Sequence, residues 1–166
     1  ALMVTEPIYR AMVKESEKIG TFGHGFTYSG HPVPAAVAIE TLKIYEERDI
    51  LAHVRRVAPA MQQGLKRFES HPLIGEVQGI GLIAGLQIVR AKSPRQYFEP
   101  AHGVAAYMSQ RCHAHGLIVR PLFGERIALC PPLIIAAEQI AEMVRRVGLA
   151  LDDTLAWVRD KGLAAT

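Results

Sequence analysis

A glycine-rich loop at residues 23–32 gives this chain its clearest means of binding an anion. The loop reads Gly-His-Gly-Phe-Thr-Tyr-Ser-Gly-His-Pro, with hydroxyl groups at Thr27, Tyr28 and Ser29. Pro32 stands where a helix can begin. Unpaired N–H groups and the helix dipole at such a start both favour a phosphate. A Gly-rich surface turn accounts for the same residues equally well, so the residues alone leave both interpretations open.

Arg120 is the second candidate, because it follows a short apolar run and precedes Pro121. An arginine at the mouth of a strand can hold a carboxylate through two parallel hydrogen bonds. A solvated surface arginine with no ligand is the alternative, and it is the more common fate of an isolated arginine.

Three glycines at 79, 81 and 85 resemble a dinucleotide fingerprint only superficially. Their spacing is GxGxxxG, and no helix clearly follows. We interpret them as turn or bulge glycines between two strands over 77–89.

Metal and thiol chemistry find little support in the spacing of histidine and cysteine. His113 and His115 are two residues apart, so a helix would not place them on one face. The sequence contains no HExxH motif or Cys/His cluster, and we predict no metal site. Cys112 and Cys130 are both expected to be core residues.

The elements that position these residues follow from apolar spacing and stop signals. An apolar stripe after Asp49, a candidate cap, predicts a helix that is kinked at Pro59 and ends before His71-Pro72. Strands are expected at 117–119 and 127–129, joined by a hairpin-like connection, and 92–100 is expected to be a loop. The other predicted helices are Glu6–Lys18, Pro32 to about Arg48, Ala101–His115 and Ala136–Lys161.

Composition places the chain among globular proteins. Of its 166 residues 49% are apolar and 21% charged, and the net charge of +3 comes from interleaved basic and acidic residues. This pattern lacks the concentrated basic face of a nucleic-acid binder. The chain has no apolar run near the ~20 residues of a membrane span and no visible signal peptide, so we expect a cytoplasmic protein.

Residues 1–5 are apolar and strand-like, and such a strand belongs either to this domain or to a sheet formed by sequence outside the chain.

Several segments, in the right order along the whole chain, resemble the class III aminotransferases. Residues 24–33, His-Gly-Phe-Thr-Tyr-Ser-Gly-His-Pro-Val, resemble the signature loop of that family, and Ala35-Ala36-Val37-Ala38 matches the Ala-rich helix after it. The remaining matches are residues 77–82 with V-x-G-x-G-L, residues 116–121 with G-L-x-x-R, residues 131–135 with PPL-x-I, and residues 1–5 with the strand after the catalytic lysine.

The resemblance implies a fold type I, pyridoxal 5'-phosphate (PLP)-dependent homodimer of α/β class with an α+β small domain. Phe26 and Thr27 would reach the partner subunit's site, where the Thr27 hydroxyl binds the PLP phosphate. Arg120 would bind the substrate carboxylate and swing aside for an amine. The catalytic lysine and the pyridine-binding aspartate of the family lie upstream of the segment matching Ala1, and no lysine here matches that motif.

The implied organisation has three parts: residues 1–35 end the large PLP-binding domain and form the dimer-interface loop, residues 36–70 form linking helices, and residues 71–166 form the small C-terminal domain.

The implied reaction is a ping-pong transfer of an amino group from an ω-amino acid or amine to a keto acid such as pyruvate. Without the lysine we expect the chain alone to be inactive, and its first residues and its loop to be disordered or to self-associate. The rival hypothesis is a stand-alone, non-catalytic α+β interaction or ligand-binding module.

Overall fold

The computed structural model describes residues 2–23, 25, 27 and 29–164, which divide into two units, Ala1–Lys43 and Ile44–Thr166. The first unit holds helix α1, Glu6–Ile19, which ends at Gly20 as predicted, and most of α2, Pro32–Glu47. None of the described residues of this unit is buried. The proposed division at 1–35, 36–70 and 71–166 stays a prediction.

The strand expected at residues 1–5 is not formed by the described residues 2–5. Leu2 and Met3 are instead 91% and 90% exposed. A strand needs a neighbour for its backbone N–H and C=O groups, and no described strand of the chain pairs with this segment. The chain from Leu2 to Thr5 therefore leads into α1 without regular structure.

The second unit packs three helices on one face of an antiparallel sheet. The helices are α3 (Ile50–Lys66), α4 (Val104–Ala114) and α5 (Ala137–Asp160), and the strands are β1 (Ile74–Ile80), β2 (Ile83–Ile88), β3 (Ala91–Lys92), β4 (Arg95–Gln96), β5 (Arg120–Leu122) and β6 (Arg126–Leu129). The main sheet has the order β1-β2-β6-β5, with every neighbouring pair antiparallel, while β3 and β4 form a small hairpin of their own. Short 3-10 turns lie at Arg67–Ser70 and Pro100–His102.

The core forms where the apolar stripes of the helices meet one face of the sheet. The predicted stripe of α3 supplies Met61 and Leu65, both fully buried. Helix α5 adds Val147 and Leu151, and β2 adds Leu86. Helices α3 and α5 end as the stop signals indicate, and Gly162 after α5 has φ of 65°.

The glycine run of residues 79–85 is the β1–β2 hairpin, as predicted, and not a phosphate-binding turn. Gly79 lies in β1, Gly81 in the turn with φ of 58°, and Gly85 in β2. A dinucleotide fingerprint needs a helix after its strand. Here a second strand follows, so the hairpin interpretation is confirmed.

Four local predictions were wrong in part. Residues 117–119 are not a strand, because Leu117 N–H donates to Cys112 O across the end of α4, and β5 begins at Arg120. Residues 92–100, expected to be a loop, contain Lys92 of β3 and the whole of β4, which pair in a short hairpin. Asp49 occupies the N-cap position of α3 with φ of 45° but makes no side-chain capping bond.

The fourth correction concerns Cys130, which was expected in the core and is exposed. Strand β6 buries Ile127 and Leu129 by period-2 alternation, and the chain leaves the strand after Leu129. Cys130 therefore starts the connection to α5, whereas Cys112 is buried in α4 as predicted. Within the described part of the chain, no helix is long and apolar enough to cross a membrane.

Candidate functional site

Arg120 is the first residue of β5, an edge strand whose one partner among the described strands is β6. It stands directly opposite Ala128, which lies between the buried residues Ile127 and Leu129. Directly paired residues point to the same side of a sheet. Arg120 therefore lies on the outer face of the sheet, which we define as the face turned away from the helices.

The side chain of Arg120 is exposed and has no hydrogen-bond or ion-pair partner among the described residues. An exposed guanidinium without a protein partner keeps all its N–H donors for solvent or for a ligand. Both the predicted carboxylate-binding arginine and a solvated surface arginine fit this exposure, so the role of Arg120 stays a prediction. Arg120 begins the strand, although it was expected to follow one.

The surface beside Arg120 is shallow. Ala128 and Gly85 pair with each other, so two small residues separate Arg120 from Gln78 along the row that crosses the outer face. A pocket of about 270 Å³ opens over Gly85. Its lining comprises Glu76, Gln78, Gly85, Leu86, Gln87 and Arg126.

The hairpin that carries Arg120 is fixed by residues that sequence inspection did not single out. Gln87 is 8% exposed and its Nε2 donates to Gly124 O at 2.8 Å and to Glu125 O at 3.1 Å. Its Oε1 accepts from Arg126 Nε at 2.7 Å. No local signal could have indicated these contacts, because the partners are 37 to 39 residues apart in sequence.

The glycine-rich loop lies in the first unit, and the structure describes only part of it. Phe26, predicted to contact the cofactor, lies outside the described residues, as do His24 and Tyr28. Thr27 is exposed in a turn, so its hydroxyl is accessible. The roles of Phe26 and Thr27 at a PLP phosphate therefore stay predictions.

The start of α2 does not offer the unpaired N–H groups that were expected of it. Pro32 and Pro34 have no N–H, Val33 N–H donates to His31 Nδ1 at 3.2 Å, and Ala35 N–H donates to His31 O at 3.2 Å. An anion at this end of the chain would rely on the Thr27 hydroxyl and on the backbone N–H groups before the helix.

A larger groove of about 680 Å³ runs between α5 and residues 117–118 and 129–135, and it contains none of the predicted site residues. Glu142 lines it and accepts hydrogen bonds from Arg145 and Arg146, which lower the pKa of its carboxyl to about 2. The described residues contain no group of three or more His, Cys, Asp and Glu side chains that could hold a metal ion.

Comparison with known proteins identifies the family. The family model "Aminotransferase class-III" matches residues 1–151. Gamma aminobutyrate transaminase 3 (chloroplastic) of Solanum lycopersicum is 47% identical over 154 residues, which cover 93% of this chain and 29% of that protein. The chain thus spans less than a third of the length of this relative.

Solved structures agree with that assignment. A transaminase with L-ala is 43% identical, with a TM-score of 0.80, and the match covers 93% of this chain and 36% of that one. The omega transaminase from Pseudomonas jessenii in complex with PMP is 38% identical, with a TM-score of 0.81, and the match covers 94% and 34% of the two chains. Because the family model matches residues 1–151 of the 166, the chain belongs to the class III aminotransferase family.

Proposed function

We propose that this chain is the C-terminal part of a PLP-dependent aminotransferase that moves an amino group from an ω-amino acid or amine to a keto acid such as pyruvate. The donor leaves as an aldehyde or ketone, and pyruvate becomes alanine. The observation that carries the proposal is Arg120 on the outer face of the sheet, which has no partner among the described residues, in a chain whose family match extends over residues 1–151.

The proposed substrates are supported by the names of similar proteins. The tomato relative is a gamma aminobutyrate transaminase, and γ-aminobutyrate is an ω-amino acid. One similar structure is a transaminase with L-ala, the product that pyruvate would give. Both molecules carry a carboxylate, which is the group that a guanidinium recognises best.

Arg120 has a defined task in this proposal. Its guanidinium binds the carboxylate of the amino acid or keto acid through two parallel hydrogen bonds, and this orients the reacting end of the molecule. For an amine without a carboxylate, the exposed side chain turns aside into solvent, because no described partner holds it in place. One pocket then serves both halves of a ping-pong reaction.

The residues present fit only part of the cofactor. The accessible Thr27 hydroxyl suits the phosphate end, where Phe26 would also lie, across the interface of a homodimer. When bound, PLP supplies the electron sink that amino-group transfer requires. The lysine that bonds to it and the carboxylate for its ring nitrogen would come from residues outside this chain, so the chain alone is expected to be inactive.

The test begins with the coding sequence upstream of Ala1 and the intact mass of the natural protein. An encoded lysine in the family's context, PLP absorbance of the whole product, and pyruvate-dependent turnover of γ-aminobutyrate are the expected results. Arg120→Ala should raise KM for pyruvate at least about tenfold, since a charged hydrogen bond is lost. Arg55→Ala, at an exposed position of α3, is the matched control.

A natural product that starts at Ala1 and binds no PLP would refute the proposal. It would favour the non-catalytic binding module instead. Thr27→Ala tests the phosphate contact in the whole enzyme: PLP affinity should fall, and Thr27→Ser, which keeps the hydroxyl, should restore it. Equal PLP affinity in both variants would remove Thr27 from the cofactor site.

A further inference from the structure

We propose that Gln87 and Glu125 are positioning residues that hold the backbone of Arg120 in place, so that its side chain can bind a substrate carboxylate. Together they fasten the tip of the β5–β6 hairpin, residues 123–125, to β2 and α4. We call these contacts the hairpin lock. The inference rests on the carboxylate-binding role of Arg120 proposed above and adds the residues on which that role depends.

Glu125 adopts a backbone conformation that an ordinary side chain avoids. Its φ is 55°, in the left-handed region where glycine is the usual residue, and it follows Gly124, whose φ is 76°. The residue is nevertheless only 8% exposed. A buried carboxylate on a left-handed residue is costly, so a specific contact must require it.

That contact is a helix cap supplied from a distance. The Glu125 carboxylate accepts a hydrogen bond from the backbone N–H of Ala105, in the first turn of α4. The N-cap residue of α4 is Gly103, which has no side chain to make this bond. A carboxylate at this end also complements the helix dipole. Glycine at 125 would suit the backbone but would leave the start of α4 uncapped.

Gln87 fastens the other side of the same tip. Its amide nitrogen donates to Gly124 O, Glu125 O and Ile88 O, and its amide oxygen accepts from Arg126 Nε. The Ile88 N–H also donates to Glu125 O at 2.9 Å. The turn is therefore held by the side chain and the backbone of β2 at once.

Arg120 depends on this lock because its own strand is weakly held. Strand β5 has three residues, and among the strands that the structure describes it pairs with β6 alone, through Arg120↔Ala128, Pro121↔Ile127 and Leu122↔Arg126. Pro121 contributes no N–H to that ladder. Binding a carboxylate through two parallel hydrogen bonds requires the arginine backbone to be held within about 0.5 Å. The lock holds the turn that directly follows β5 and so fixes the strand at its Leu122 end, while Ser109 Oγ on α4 donates to Val119 O at 3.5 Å at the Arg120 end.

The experiment uses the whole aminotransferase that contains this chain. For Gln87→Met, Glu125→Ala and Glu125→Gln, kcat/KM is measured with L-alanine, which carries a carboxylate, and with 1-phenylethylamine, which does not. Loss of the lock should lower the L-alanine to phenylethylamine ratio about tenfold in Gln87→Met and Glu125→Ala, mainly through KM for L-alanine. Glu125→Gln keeps an acceptor for the Ala105 N–H, so its ratio should stay near that of the unsubstituted enzyme.

An equal loss with both donors would mean a purely structural role and would overturn the inference. Arg120→Ala is measured in parallel: an unchanged ratio in that variant overturns the role of Arg120 itself, and with it the positioning role.

Amide exchange in the 166-residue chain tests the lock separately from catalysis. Exchange at Ala105 should accelerate in Glu125→Ala but not in Glu125→Gln, and an unchanged rate in Glu125→Ala would show that the lock does not exist.

Discussion

Gln62 on α3 donates from Nε2 to Gly81 O at 2.8 Å and so ties the β1–β2 turn to the helix. The same amide donates to Ile83 O at 3.1 Å. These bonds bring the Gln62 side chain close over Gly79, whose missing side chain makes the approach possible. The contact explains one of the glycines in a run that otherwise looks like a nucleotide motif.

Gly79→Ala should destabilise the second unit by about 1–3 kcal/mol, as overpacking of a tight site does. A Cβ there would lie 2.4 Å from Gln62 Oε1 and 2.6 Å from Ile83 O, and the backbone oxygen has no freedom to withdraw. Gly85→Ala is the control, because the nearest atom to its Cβ is Ile127 O at 4.0 Å. Urea unfolding followed by fluorescence of Trp157, the chain's one tryptophan, measures both. Equal stability of the two variants would contradict the packing described.

The two cysteines should differ sharply in reactivity. Burial raises the pKa of the Cys112 thiol to about 11, and the thiolate is the reactive form. Cys130 is exposed. At about pH 8 we expect an aromatic disulfide reagent to label Cys130 quickly and Cys112 only after unfolding. Mass spectrometry of the labelled peptides identifies which cysteine has reacted, and Cys130→Ser is the control. Rapid labelling of Cys112 in the folded chain would argue against its burial.

Asp153 joins α4 to α5 by accepting from His115 Nε2 at 2.8 Å and from Arg111 Nε at 2.9 Å. The hydrogen bond from His115, and then that from Arg111, lower the pKa of the Asp153 carboxyl below its usual 3.8. Its stabilising effect is thus present above about pH 4 and lost as pH falls through the lowered folded-state pKa.

Asp153→Asn should therefore lower the free energy of unfolding at neutral pH. In acid, where the Asp153 carboxyl is protonated, the substitution should change it little. We expect less than about 1 kcal/mol, because the Asp153 side chain is 37% exposed and solvent screens the pair. Added salt should shrink the difference. Asp160→Asn, at the end of the same helix, is the control. A loss that does not vary with pH would mean that packing, and not charge, is responsible.

His71 should make the second unit less stable in mild acid. Burial lowers the pKa of its imidazole below 6.5, outweighing the opposing effect of Asp152, whose Oδ1 lies 3.6 Å from Nε2. His71 Nδ1 accepts a hydrogen bond from Leu73 N–H, and it can do so only while this ring nitrogen carries no proton. Since the unfolded chain takes up the proton more readily, stability present above about pH 6.5 is lost as pH falls.

His71→Asn keeps an acceptor near the Leu73 N–H but cannot take up a proton. We expect the unfolding free energy of the variant to fall less than that of the unsubstituted chain between about pH 7 and pH 5. Urea titrations at several pH values, followed by Trp157 fluorescence, measure this difference. Parallel pH curves for the two chains would show that His71 is not the group responsible.

Amide exchange should separate the two units. Helix α1 buries none of its residues, although it carries apolar side chains such as Ile8 and Tyr9. Helix α5 buries Val147 and Leu151 completely. Local opening is easiest where few apolar contacts hold an element, so we expect fast exchange over residues 2–19 and slow exchange in the middle of α5. Strong protection of residues 2–19 in a monomer would contradict this prediction.

The sequence by itself determined the elements whose signals are local. The stripe through Met61 and Leu65 predicted α3, a second stripe predicted α5, and Gly81 marked the β1–β2 turn. Motif order along the chain was sufficient to indicate the family. The sequence also shows that Pro32 and Pro34 bring no N–H groups to the start of α2, but the hydrogen bond from Val33 N–H to His31 Nδ1 appears only in the structure.

Only the tertiary structure decided what surrounds Arg120. Its place at the head of an edge strand depends on how β5 pairs with β6, and the exposure of Cys130 depends on where β6 ends. The hairpin lock joins Gln87 and Glu125, which are 38 residues apart in sequence. A helix cap from a distant turn produces no periodic pattern of residues in the sequence. Local propensity and spacing record contacts within a few residues, while these contacts arise only when separate strands and helices meet.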